Sequence, residues 1–125
     1  MPFDGGYYVS DPVVKRLREA QERLIEHGWV RGYLHSGYVG TYCIIGAVID
    51  ARYDAPIENM AKILFGRVDN RAFFYLKRTI GVRGFTRWKG IMKWNDKIVS
   101  NKDEVIRKFD EAIEMRISQM MTACE

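Results

Sequence analysis

From Val13 onward the apolar positions recur at helical spacing. Val13, Val14, Leu17, Ala20, Leu24 and Ile25 fall on one face of a helix that Ser10-Asp11-Pro12 caps at its start and Gly28 stops. The pattern then changes. Trp29 to Leu34 and Tyr38 to Tyr42 are aromatic and β-branched, and His35-Ser36-Gly37 between them reads as a tight turn with Gly37 where positive φ is needed, so a short β-hairpin is expected. Cys43 to Arg52 is largely apolar with Gly46-Ala47 inside it. It is read as a buried helix whose small residues permit close backbone approach, although periodicity alone does not separate it from a strand. Asp54-Ala55-Pro56 restarts the chain into a helix faced by Ile57, Met60, Ala61 and Leu64 and ended by Gly66. The next helix is expected from Asn70 or Arg71 to Ile80, with Phe73, Leu76 and Ile80 inward and Gly81 as its stop. Val82-Arg83-Gly84 is a linker, and Thr86 caps a helix carrying Trp88, Ile91 and Met92 toward Trp94, weakened at Gly90 by about 1 kcal/mol relative to alanine. Ser100-Asn101-Lys102-Asp103 resembles a capping box, and Val105, Ile106, Phe109, Ile113, Ile117 and Met120 form the stripe of a long last helix.

These elements predict a mainly α fold: a single compact helical domain over residues 10–125, with about five helices, a small β-hairpin after the first, and residues 1–9 as an N-terminal tail. A chain of 125 residues with 47% hydrophobic content is large enough for one core and too short for two. No repeat, low-complexity segment or sustained heptad interrupts it.

Three short blocks sit at the edges of the predicted helices. They are Leu17-Arg18-Glu19-Ala20-Gln21-Glu22-Arg23-Leu24-Ile25-Glu26-His27-Gly28-Trp29, then Cys43-Ile44-Ile45-Gly46-Ala47, then Trp94-Asn95-Asp96. Their order and spacing, over about Leu17 to Ile113, resemble a family of small uncharacterised bacterial and phage proteins, a domain of unknown function. Its members read L-x-x-A-x-x-L-I-x-x-x-G-W, C-x-x-G-A and W-N-D before a last amphipathic helix. The resemblance implies a fold and a cytoplasmic setting, the host cytoplasm if phage-encoded, and carries no activity with it. The chain departs from the family pattern in the long basic, aromatic run before Trp94.

Charge sharpens that departure. The net charge is +4, but residues 66 to 99 hold nine Lys or Arg against Asp69 and Asp96, an excess of +7 that leaves the flanks at −3. Such local asymmetry speaks of an anionic partner more than of fold. Arg71, Lys77, Arg78, Arg83, Arg87, Lys89, Lys93 and Lys97 alternate with Phe73, Phe74, Tyr75, Phe85, Trp88 and Trp94, which sets phosphate-seeking charges beside surfaces able to stack on bases. The competing reading is an amphipathic helix pair with aromatics inward and a solvated cationic face outward. No named nucleic-acid motif accompanies the run.

The other candidates are weaker. Cys43 in the first turn of a helix has the setting of an activated thiolate, with His35 as base and Asn95 or Asp96 as orienting group. Against this, cysteine is among the residues most often buried, and Tyr42, Ile44 and Ile45 around it are apolar. Trp94-Asn95-Asp96 reads as a core aromatic followed by side chains that bond backbone in the turn before the last helix, and Gly28-Trp29 as a helix stop and a buried anchor. His27, His35, Cys43 and Asp50 match no zinc-ligand spacing, so no metal is expected. Gly81-Val82-Arg83-Gly84 and Gly37-x-x-Gly40 lack the remainder of a phosphate loop or dinucleotide fingerprint and are turn signals; no cofactor is expected. Only Cys43 and Cys124 are present, which offers no disulfide framework. No apolar run reaches membrane-spanning length, and Met1-Pro2-Phe3-Asp4-Gly5-Gly6 lacks the pattern of a signal peptide, so a cytoplasmic protein without membrane contact is expected.

The expected function is a non-enzymatic binding module, compatible through the family resemblance with a phage or bacterial host-interaction protein, that engages nucleic acid, a phosphate-bearing ligand or an acidic protein through the segment from Arg67 to Lys97. The alternatives are a protein-protein adaptor acting through an apolar surface and a cysteine enzyme built on Cys43.

Overall fold

A computed structural model of the chain describes residues 10–31, 33–36, 41–50, 55–56, 65–81 and 87–124, with side chains described for all but 33–36, 55–56, 87 and 123–124. Helix α1 spans Pro12–His27. The Asp11 carboxylate accepts the Val14 N–H at 2.9 Å, Pro12 occupies the first turn, where no amide is needed, and Gly28 ends the helix at φ 99°. Val13, Val14, Leu17, Ala20 and Leu24 are buried as expected, but Ile25 is 51% exposed and Gln21 is buried in its place. At 100° per residue, position 21 points between Val14 and Leu17, whereas position 25 lies at the edge of the stripe. The Gln21 amide is satisfied by the Ile106 carbonyl at 3.1 Å and the Asp110 carboxylate at 2.8 Å.

Two paired strands are present where the hairpin is expected, and the first runs through residues read as its turn. Strand β1, Tyr33–Ser36, pairs antiparallel with β2, Thr41–Tyr42, through His35 with Tyr42 and Ser36 with Thr41. His35 and Ser36 are therefore strand residues, and Gly37 lies outside the described residues. Trp29 is not in β1; residues 28–30 lie along the other side of Tyr42, which donates to the Gly28 carbonyl at 3.0 Å and accepts from Val30 N–H at 2.9 Å. Ala55–Pro56, expected to open a helix, forms a third strand, β3, on the far edge of β1. The helical face proposed over Ile57 to Leu64 lies outside the described residues.

Helix α2 is short, Ile44–Ile49, and ends where Asp50 takes the left-handed conformation at φ 55°, before the expected boundary at Arg52. Both of its ends are held. The Cys43 Sγ accepts the Gly46 N–H at 3.3 Å, and Arg23 of α1 donates to the Ala47 carbonyl at 2.7 Å while pairing with Asp50 at 3.2 Å. Helix α3 spans Arg67–Ile80, three residues earlier than Asn70, because Gly66 serves as its N-cap and not as the end of the preceding element. The Asp69 carboxylate accepts the Gly66 N–H at 3.2 Å and also pairs with Arg16 of α1. Gly81 closes α3 at φ 81°, as expected. Helix α4, Arg87–Lys93, runs into a π-helical turn, Trp94–Ile98, and α5 covers Lys102–Cys124. Its cap is Asn101, whose side chain accepts the Glu104 N–H at 2.9 Å, one residue after the expected Ser100.

Helices α1, α3 and α5 pack on one another, with α2 against α1 and α4 against α3. Their inner faces form one core that includes Phe73, Tyr75, Leu76, Ile91, Trp94, Phe109, Ile113 and Ile117. Arg116 of α5 ties the N-cap of α1 to the middle of α3. It donates to both Asp11 carboxylate oxygens at 3.0 and 3.1 Å and to Tyr75 Oη at 3.1 Å, and Tyr75 in turn donates to Gln119 Oε1 at 2.7 Å. The fold is thus mainly α: five α-helices among the described residues, and a small sheet packed against α1 and α2.

Candidate functional site

The π turn after α4 brings the three sequence blocks together. Val99 N–H reaches the Trp94 carbonyl at 2.9 Å, five residues back, and the widened turn leaves both Trp94 and Asn95 in the interior. Asn95 is completely buried. Its Oδ1 accepts from Trp29 Nε1 at 2.7 Å and from Ile44 N–H at 3.2 Å, and its Nδ2 donates to the Val30 carbonyl at 3.2 Å and to Asp96 Oδ1 at 2.8 Å. An amide has two acceptor sites and two donor hydrogens, and here all four are used. Ile44 N–H belongs to the first turn of α2, where no helix carbonyl is available, so Asn95 completes the cap that Cys43 begins. Arg31 closes the assembly from outside, donating through Nε to the Asn95 carbonyl at 3.2 Å and through Nη2 to the Val99 carbonyl. The local bonding expected of Asn95 is therefore replaced by a long-range one, with partners 51 to 66 residues earlier in the chain.

Cys43 sits inside this assembly, fully buried. Burial pushes its thiol up to about 12, against the opposing pull of the Gly46 and Ile45 amides, so it is protonated at neutral pH. A protonated thiol cut off from solvent is a poor nucleophile. The described His27 ring packs edge-on against Tyr42 at 5.9 Å and is largely exposed, and the His35 side chain lies outside the described residues. Among the described residues, no three His, Cys, Asp or Glu side chains converge to hold a metal.

The basic run resolves into two stripes. On α3, Arg67, Arg71 and Arg78 are exposed at spacings of four and seven residues, with Phe74 half-buried between them. The Arg71 and Arg78 guanidinium carbons lie 6.0 and 5.5 Å from the Phe74 centroid. Phe73 and Tyr75 on either side turn into the core. Lys77 is only partly exposed and off this line. On α4 and the π turn, Lys89, Lys93 and Lys97 are exposed at successive four-residue steps, and Lys89 Nζ lies 5.5 Å from the half-buried Trp88 ring. Trp94 is in the core. Arg83, Phe85 and the Arg87 side chain lie outside the described residues. Among the described residues, Arg67, Arg71, Arg78, Lys89 and Lys97 make no ion pair, whereas Asp69 is engaged by Arg16 and Asp96 by Asn95.

A family model described as "Family of unknown function (DUF6197)" matches residues 9–115, which include all three blocks. The chain belongs to this family. No curated protein and no solved structure matches it. Membership in DUF6197 agrees with the resemblance drawn from the blocks, and the geometry explains how residues so far apart in sequence form one unit. Arg31 is the participant that the sequence does not single out, since it gives no signal beyond its charge; Arg67, the first residue of the expected binding segment, lies one turn before Arg71.

Proposed function

We propose that this DUF6197 protein is a non-enzymatic module that binds a polyanion through the outer face of α3, acting in the cytoplasm of a bacterium or a phage-infected host. The supporting observation is the line of Arg67, Arg71 and Arg78, three exposed guanidinium groups without carboxylate partners among the described residues. Arginine presents five donors in a planar fork that fits phosphate and carboxylate, and three on one helix face form a concentrated site for anionic groups. Cys43 supports the non-enzymatic part, since the nucleophile singled out from sequence is buried and protonated. Retention on immobilised heparin tests the reading. The parent should elute at clearly higher salt than R67Q/R71Q/R78Q, because each charge that engages the polymer releases condensed counterions. Equal elution of the two proteins would remove the α3 stripe as the binding face.

A further inference from the structure

We infer that Phe74 is a positioning residue of this face: its covered ring holds Arg71 and Arg78 together as one paired grip on the polyanion. This rests on the anion-binding reading above and adds to it the group that sets the geometry of the two arginines.

The spacing comes first. On a helix, residues three and four positions apart lie side by side, so Arg71 one turn before Phe74 and Arg78 one turn after it both reach the same ring. Their guanidinium carbons lie 6.0 and 5.5 Å from its centroid. The ring is itself anchored, since Phe74 is half-buried and Tyr75, a core residue, stands edge-on to it at 5.2 Å. Both arginines nevertheless remain exposed, and the attraction of a cation to a ring leaves N–H donors for an oxyanion on the side away from that ring. An exposed arginine without such a support samples many rotamers, and a ligand that binds it must immobilise the whole side chain. Two arginines drawn to one anchored ring are already gathered before the ligand arrives. Among the described residues Arg67 has no ring beneath it, so it contributes charge without this preorganisation.

The test measures fluorescence anisotropy of a labelled heparin oligosaccharide over a series of salt concentrations. The proteins are the parent, Phe74→Leu, Phe74→Met, Phe74→Tyr, R71Q/R78Q, R67Q/R71Q/R78Q, and R71Q/R78Q carrying Phe74→Leu, each checked for folding by circular dichroism and urea unfolding. Phe74→Leu and Phe74→Met, which fill the site without a ring, should each bind about fivefold or more weakly than the parent, the effect of having to immobilise two arginines anew. Phe74→Tyr keeps the ring and should bind like the parent. The slope of log affinity against log salt should stay at the parent's value in the Leu and Met variants, because the same charges still meet the polymer, and should become shallower in R71Q/R78Q. In the R71Q/R78Q background, Phe74→Leu should have no further effect. If Phe74→Leu and Phe74→Met bind like the parent while R71Q/R78Q is weakened, the ring does not position the arginines and the anion-binding face still stands. A loss from Phe74→Leu that is as large without the arginines as with them, or an equal loss in Phe74→Tyr, also overturns the inference, because it assigns the effect to packing. If R67Q/R71Q/R78Q binds like the parent, the reading beneath it fails as well.

Discussion

Replacing Asn95 by alanine removes four hydrogen bonds from a site with no solvent access. Trp29 Nε1–H and Ile44 N–H lose their acceptor, and the Val30 carbonyl loses a donor. Each polar group left unpaired in the interior costs about 1–3 kcal/mol. The full sum over three such groups is an upper bound, because a water entering the vacated space can satisfy some of them. A loss of about 3–5 kcal/mol is expected, a large share of the roughly 5–15 kcal/mol that holds a domain together. Urea unfolding followed by far-UV circular dichroism measures it without relying on Trp29 emission, which the substitution would itself alter. Asn95→Asp separates hydrogen bonding from shape. It keeps both acceptor contacts but sets a carboxylate oxygen against the Val30 carbonyl and Asp96. Burial and Asp96 raise the pKa of that introduced carboxyl, so its deficit relative to the parent should shrink on acidification, where protonation restores a donor. In a double-mutant cycle, Trp29→Phe and Asn95→Ala should couple by about 0.5–3 kcal/mol. An Asn95→Ala protein within about 0.5 kcal/mol of the parent would refute the hub.

The Asp11 carboxyl is lowered from its ordinary 3.8: burial alone would raise it, but the Arg116 and Val14 hydrogen bonds and the Arg116 charge outweigh that. Its contribution to stability is therefore present above pH 3.8 and lost as pH falls through the lower folded value, so acid unfolding of the parent should show a steeper loss below about pH 4 than Asp11→Asn. Asp11→Asn should also cost about 1–2 kcal/mol at neutral pH, measured by urea unfolding. In a Cys124→Ala background, Cys43 should react with a maleimide only at the rate of global opening and accelerate with urea in step with unfolding; rapid native labelling would contradict its burial. Gly28→Ala should lower stability by more than 1 kcal/mol in the same unfolding assay, because Gly28 holds φ 99° and an added Cβ would stand 3.0 Å from Thr41 Cγ2.

Helix α1 is legible because cap, periodicity and stop agree within the segment, α5 because a long apolar stripe follows its cap, and the stop of α3 because Gly81 supplies the left-handed residue that ends it. The sequence misleads where a partner remote in the chain decides the outcome. Ile25 was placed inside by residue type, whereas helix geometry and the Ile106 carbonyl on α5 favour Gln21 there. His35 and Ser36 looked like a turn, but pairing with Ala55–Pro56 on one edge and Thr41–Tyr42 on the other makes them strand. The three motif blocks are recognisable in the sequence, where Asn95 reads as bonding backbone groups in its own turn. Its partners are not legible there, because the π turn that aims it at Trp29 and Ile44 has no local sequence rule. The arginine stripe on α3 follows directly from spacing, as does the inward Phe73, while the split between half-buried Phe74 and buried Tyr75 needs the helix phase that Gly66 sets.

Helix α2 has six residues, too few to persist alone in water, where isolated helices below about 12–15 residues are marginal. What sustains it comes from elsewhere: Arg23 at its C-terminal end and Asn95 at its N-terminal end. The order of folding follows. A nascent chain that has emerged only as far as Asp50 contains the whole of α2 but not the side chain that finishes its cap, so α2 cannot settle until synthesis has passed Asn95. A segment whose residues are almost all buried is then among the last to become permanent, and hydrogen exchange at its amides should report the completion of the entire domain.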